Sequence, residues 1–96
     1  MRISITNHVI LRYRQRATHD SRRHERSSRE IKEIVVDGLV RTRAYGAVEE
    51  LVEQGTSPSA RVTATLQDGD TELGRYCFAL TKGEGRNLVA VTMLKN

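Results

Sequence analysis

The stretch ARVTATLQDGDTELGRYCFALTKGEGRNLVAVTMLK, from Ala60 to Lys95, decides the fold. Its first segment alternates Val62, Ala64 and Leu66 with Arg61, Thr63, Thr65 and Gln67. That period of two turns one set of side chains toward a core and the other toward solvent. DGD then marks a tight turn into TELGRYCFALT, and KGEG turns that segment into RNLVAVTMLK. Turns this short force neighbouring strands to run antiparallel, so the three segments read as a meander. The apolar face of a meander needs a cover, and the preceding residues supply one.

Working back from Ala60, TSPS reads as a turn and AVEELVEQG as a short amphipathic helix ending at Gly55, with a strand as the alternative. LVRTRAY reads as a further strand. The clearest helix runs from about Ser28 to Asp37: Ser27 stands three residues before Glu30, the spacing of a capping box, and Ile31, Ile34 and Val35 form one apolar stripe. Gly38 is expected to stop it, since glycine takes the left-handed conformation that ends helices. THDSRRHER contains no apolar residue and reads as an exposed loop. From Asn7, read as the N-cap, a first helix reaches Ala17, with Val9, Ile10, Tyr13 and Ala17 on one face. RISIT suits a short strand. The economical architecture is α+β, two N-terminal helices packed on a C-terminal antiparallel sheet, in a single domain of residues 1–96. Val9, Ile10, Tyr13, Ile31, Ile34, Val35, Leu66, Phe78, Leu80, Val89 and Val91 are expected to supply much of its core.

Ninety-six residues with 38% hydrophobic content, no Trp and one Phe allow one modest core. The formal charge is +4, unevenly placed: Met1 to Arg43 holds eleven Lys or Arg against five Asp or Glu, whereas Ala44 to Asn96 holds five against seven. A basic pole of this kind attracts phosphate or an acidic protein surface. The lone Cys77 cannot form an internal disulfide and lies in a strand-like segment, where a buried structural thiol is the simplest role. No apolar run approaches the roughly 20 residues that cross a bilayer, and MRISITNHVIL lacks the features of a secretory leader. A cytoplasmic protein without a membrane partner is the expectation. Gly83 and Gly85 sit in a hairpin turn with no following helix or Lys-Ser/Thr pair, which argues against a nucleotide-phosphate loop. His19 and His24, with Asp20 and Glu25, lack a recognised ligand spacing, so neither metal nor cofactor is expected.

The candidate chemistry lies in NHVILRYRQRATHDSRRHERS, Asn7 to Ser27, with six arginines, three histidines and two acids. His8, Arg12 and Arg16 follow at one and two helical turns, beside the apolar stripe. Metal-independent RNA cleavage needs proton-transfer groups and cations on the phosphate. An imidazole can serve as acid or base near neutral pH, and guanidinium groups hold phosphate oxygens with forked donors. Arg75 and Tyr76 fall on opposite faces of one strand, so only one of them can join His8 in a pocket. Thr92 is a further position from which the last strand can line a site. Arg22, Arg23 and Arg26 extend the cationic surface into the loop, making Arg12, Arg16, Arg22, Arg23 and Arg26 the nucleic-acid-binding set. The same residues also suit a solvated helix edge or a grip on an acidic protein.

NHVILRYRQRA, followed by SSREIKEIVVDGLV and a meander ending in LVAVTMLKN, resembles the small toxins related to RelE and BrnT, in a branch that opens with a histidine and two arginines at four-residue steps. The resemblance implies a compact helix-helix-sheet fold, endoribonuclease activity and neutralisation by an antitoxin. Together with their one-face spacing it points to catalytic roles for His8, Arg12 and Arg16, to which Arg75 or Tyr76 is expected to contribute from the sheet. The chain departs from the pattern in the basic loop from Thr18 to Arg26 and in the insertion GAVEELVEQGTSPSA. The alternative class is a non-catalytic basic binding module, such as a phage or mobile-element inhibitor.

Overall fold

The computed structural model describes residues 2–53 and 59–94. Among them the order is β1 (Arg2–Ile5), α1 (Asn7–Arg16), α2 (Ser28–Arg41), α3 (Ala44–Glu53), β2 (Ser59–Asp68), β3 (Thr71–Lys82) and β4 (Asn87–Leu94). The meander forms as its turns require, with β2 antiparallel to β3 and β3 antiparallel to β4. The sheet order is β1-β4-β3-β2, and β1 lies parallel to β4, with Arg2 opposite Asn87 and Ile5 opposite Ala90. The sheet is therefore mixed, which corrects the expectation of a purely antiparallel one. No hairpin joins the first strand to the last, so turn chemistry puts no constraint on their relative direction. The four strands curl, and α2 approaches both edge strands, β1 and β2.

On β2 the inner face carries Ala60, Val62, Ala64 and Leu66, and on β3 it carries Tyr76, Phe78 and Leu80. β4 inverts the expected phase. Leu88, Ala90 and Met93 are buried, Val89 is half-buried and Val91 is exposed. Both registers of LVAVTML present apolar side chains, so alternation alone does not choose between them. Pairing does: Ala79 faces Thr92 and Leu80 faces Ala90, leaving Val91 as the extra residue of a bulge. Cys77, on the outer face, is half-buried rather than fully buried.

The capping box at Ser27 forms, with the Glu30 N–H donating to Ser27 Oγ at 3.1 Å and the Ser27 N–H to Glu30 Oε1 at 3.5 Å. Gly38 does not end α2, which continues to Arg41. Leu39 falls four residues after Val35 and extends the buried stripe, so LVRTRAY folds as the end of one helix and the start of the next rather than as a strand. Gly38 serves close packing instead. A Cβ there would stand 2.5 Å from Leu66 Cδ2 and 3.2 Å from the Thr65 carbonyl oxygen, so the missing side chain is what lets α2 lie against β2. The turn between the helices falls at Arg43, with φ 55°. AVEELVEQG takes the helical alternative as α3; its expected end at Gly55 and most of the TSPS turn lie outside the described residues.

Candidate nucleic-acid interface

The cap of α1 lies one residue earlier than expected, and Asn7 is the first residue of the helix. Thr6, rather than Asn7, is the N-cap, its Oγ1 accepting from the Val9 N–H at 3.4 Å while its hydroxyl donates to the Val91 carbonyl at 2.9 Å. β1 pairs only the first half of β4, and α1 serves the rest of that side: Arg16 Nη1 donates to the Met93 carbonyl at 2.6 Å. Val9, Ile10, Tyr13 and Ala17 are buried as the helical period requires. Beside them His8 is exposed and Arg12 half-buried, with Arg12 Nε donating to His8 Nε2 at 3.3 Å and Nη1 to Gln15 Oε1 at 2.8 Å. That contact holds the imidazole and guanidinium together on the open side of α1.

The segment from Thr18 to Arg26 was expected to be an exposed loop, and two of its residues overturn that. Asp20 and Arg26 are 2% and 4% exposed. Arg26 Nε donates to Asp20 Oδ2 at 2.6 Å and Nη2 to Oδ1 at 3.3 Å, while Nη1 reaches Asp68 at 3.0 Å and Glu30 at 3.5 Å. Tyr13 donates its hydroxyl hydrogen to Asp20 Oδ2 at 2.5 Å, and the Arg22 N–H donates to Oδ1 at 3.0 Å. Burial pushes the Asp20 carboxyl up, but the hydrogen bonds from Arg26, Tyr13 and the Arg22 N–H outweigh it and hold the group below its ordinary range. Asp20 in turn raises Arg26 through their hydrogen bonds, and burial together with the Asp20 carboxylate raises the Tyr13 phenol. No buried side-chain nitrogen or oxygen among the described residues lacks a partner.

Arg26 therefore leaves the phosphate-binding set: its guanidinium is sealed among three carboxylates. Arg23 is half-buried and donates to the carbonyls of Arg14 and Asp20 at 3.2 and 3.4 Å. Arg22 is exposed, with Glu25 at 3.9 Å. Because a guanidinium has five N–H donors, Arg12, Arg16 and Arg23 keep further donors beyond these contacts. Tyr76 is buried at 2% exposure; its hydroxyl donates to the Leu73 carbonyl at 2.6 Å and accepts the His19 N–H at 3.3 Å. It is a core aromatic that anchors the connection and takes no part in an open site, and burial raises its phenol. Arg75 is exposed and lines a groove with His19, Glu72 and Gly74, so the structure associates it with His19 and not with His8. Thr92 is half-buried on the sheet, opposite Ala79.

Sequence reasoning missed the Tyr13–Asp20–Arg26 cluster. The available signal was Asp20 itself, one of only two acids in a run of six arginines, seven residues after a tyrosine on the apolar stripe. Among the described residues no three His, Cys, Asp or Glu side chains are grouped to hold a metal, and no helix is long and apolar enough to cross a membrane. Comparison of the chain with protein-family models, curated proteins and solved structures returned no match. Fold and surface together define a class alone: an α+β protein whose helices pack on a curled mixed sheet, with an imidazole and guanidinium groups along the open side of its first helix.

Proposed function

We propose that the protein binds RNA through the His8, Arg12 and Arg22 side of the molecule and cleaves it without a metal ion, in the manner of the RelE- and BrnT-like toxins its sequence resembles. The observation that carries this reading is the pair of exposed His8 and half-buried Arg12, 3.3 Å apart, in line with Arg16 along the edge of the helix's buried face. His8 and Arg16 are about 12 Å apart along the helix axis, enough for an extended contact with a nucleic-acid backbone. Arg16, half-buried, contributes its remaining donors. Such a toxin requires an acidic antitoxin to mask the same surface.

A second reading, a non-catalytic module gripping nucleic acid or an acidic protein, is favoured by the contacts of His8: Arg12 and, through it, Gln15, neither of which exchanges protons near neutral pH. His8 and Arg12 accordingly hold phosphate in both readings. Induced expression in a bacterium, followed by growth and RNA integrity, separates the two. Growth arrest with fragmented RNA supports the toxin-like reading; intact RNA alongside RNA binding in vitro selects the binding module. The absence of RNA binding by the purified protein at low salt rejects the toxin-like reading and leaves the second only as a grip on DNA or an acidic protein.

A further inference from the structure

We infer that RNA is cleaved in the groove of about 470 Å³ lined by His19, Glu72, Gly74 and Arg75, where the α1–α2 connection meets β3. This rests on the RNA-binding reading above and assigns its chemistry to residues away from His8. An imidazole, a carboxylate and a guanidinium around one open groove are the three group types that transfer of a phosphodiester to its own 2′-hydroxyl requires.

The fold builds this convergence. Between Leu66 and Gln67 the pairing of β2 with β3 shifts by one residue: Leu66 faces Gly74 and Gln67 faces Glu72, leaving Leu73 as the extra residue of a bulge. Gly74 follows the bulge at φ 102°, and Glu72 and Arg75 stand exposed on either side of it. A Cβ on Gly74 would lie 2.8 Å from Tyr76 Oη and 3.0 Å from His19 Cδ2, so the glycine gives the imidazole room against the strand. His19 is fixed there through its backbone, whose N–H donates to Tyr76 Oη, and through Asp20, the next residue, which is locked to Arg26. Groups positioned before substrate arrives lose little freedom on binding it. A buried ion pair beneath an exposed histidine has a clear use in this arrangement.

In the reaction, Glu72 accepts the proton of the 2′-hydroxyl and the 2′-oxygen forms a bond to phosphorus. The bond from phosphorus to the 5′-oxygen breaks, and protonated His19 gives its proton to that departing oxygen. Arg75 holds the non-bridging oxygens as their charge grows. The products are a 2′,3′-cyclic phosphate and a 5′-hydroxyl, with neither water nor metal consumed.

The test uses the full chain and a labelled single-stranded RNA of mixed sequence, with and without ribosomes, and follows cleavage, product ends and affinity together. The native protein is expected to yield cyclic phosphate ends. His19→Gln and Glu72→Gln should each lower the rate about 10²-fold or more while affinity and thermal melting stay unchanged. Lys32→Gln, on α2, should cleave at the native rate. A 2′-deoxyribose at the cut position should block the native protein, a result independent of any variant's folding. Full activity in either folded variant, or cutting at the deoxyribose, overturns the proposal. Native protein that binds RNA and never cleaves it also overturns the proposal and leaves RNA binding standing, whereas failure to bind removes both.

Discussion

Asp20 accepts hydrogen bonds from the Tyr13 hydroxyl, from Arg26 and from the Arg22 N–H while almost no part of it meets water. Removing one partner of a buried ion pair leaves the other charge unsolvated and costs about 3–5 kcal/mol, whereas exposed pairs such as Arg29–Glu33 contribute under about 1 kcal/mol. Asp20→Ala is therefore expected to destabilise the protein by about 3–5 kcal/mol in urea unfolding, and Glu33→Ala by under about 1 kcal/mol. The pH dependence follows in sign. A free aspartate titrates near about 4, and in the folded protein Asp20 lies lower, so its contribution is complete above about pH 4 and is lost as pH falls toward the folded-state value. The stability gap between the native protein and Asp20→Asn should shrink on acidification below about pH 4, as read from unfolding curves at successive pH values. The same residues show why the site was only partly legible. Spacing reveals which side chains share a helix face, and His8 with Arg12 follow that rule. Whether an arginine in a run of arginines faces water or a carboxylate depends on contacts as remote in sequence as Arg26 to Asp68.

α2 shows the same limit at the scale of the element. Its start was legible because a capping box is local, and its stripe because Ile31, Ile34 and Val35 repeat at helical spacing. Its end was not legible, because the close approach of β2 to Gly38 is a tertiary fact that overrides the glycine's ordinary meaning. Alanine at position 38 would gain about 1 kcal/mol of helix propensity, yet its Cβ would collide with Leu66 in a filled core, where overpacking costs about 1–3 kcal/mol. Gly38→Ala should accordingly lower the denaturation midpoint, and restoration of stability by Leu66→Ala in the same chain would locate the collision. Ile34→Ala, on the opposite account, empties space in the core and should destabilise by about 2–5 kcal/mol in the same measurement. In β4 the missing information was register: two apolar faces satisfy the pattern equally, and only the bulge at Val91 selects Leu88, Ala90 and Met93.

For the molecule as a whole, the predicted meander and its helical cover are present, whereas the parallel place of β1 required knowledge of which edge remained open. Net charge overstates the cationic surface, since Arg26 is buried and Arg16 and Arg23 are partly engaged by carbonyls. If Arg12 and Arg22 each neutralise one phosphate, replacing both with Gln should reduce the slope of log affinity against log salt by about 1.4 for single-stranded RNA. An unchanged slope in a fluorescence titration would remove both from the contact. The partnership of β1 with β4 also sets a timetable. During synthesis β1 emerges before the other described elements and β4 after them, so Thr6 and Arg16 wait for acceptors at Val91 and Met93, and α1 waits for the strand it packs on. Nascent chains arrested before Asn87 should remain open to protease and become resistant only when β4 clears the exit tunnel.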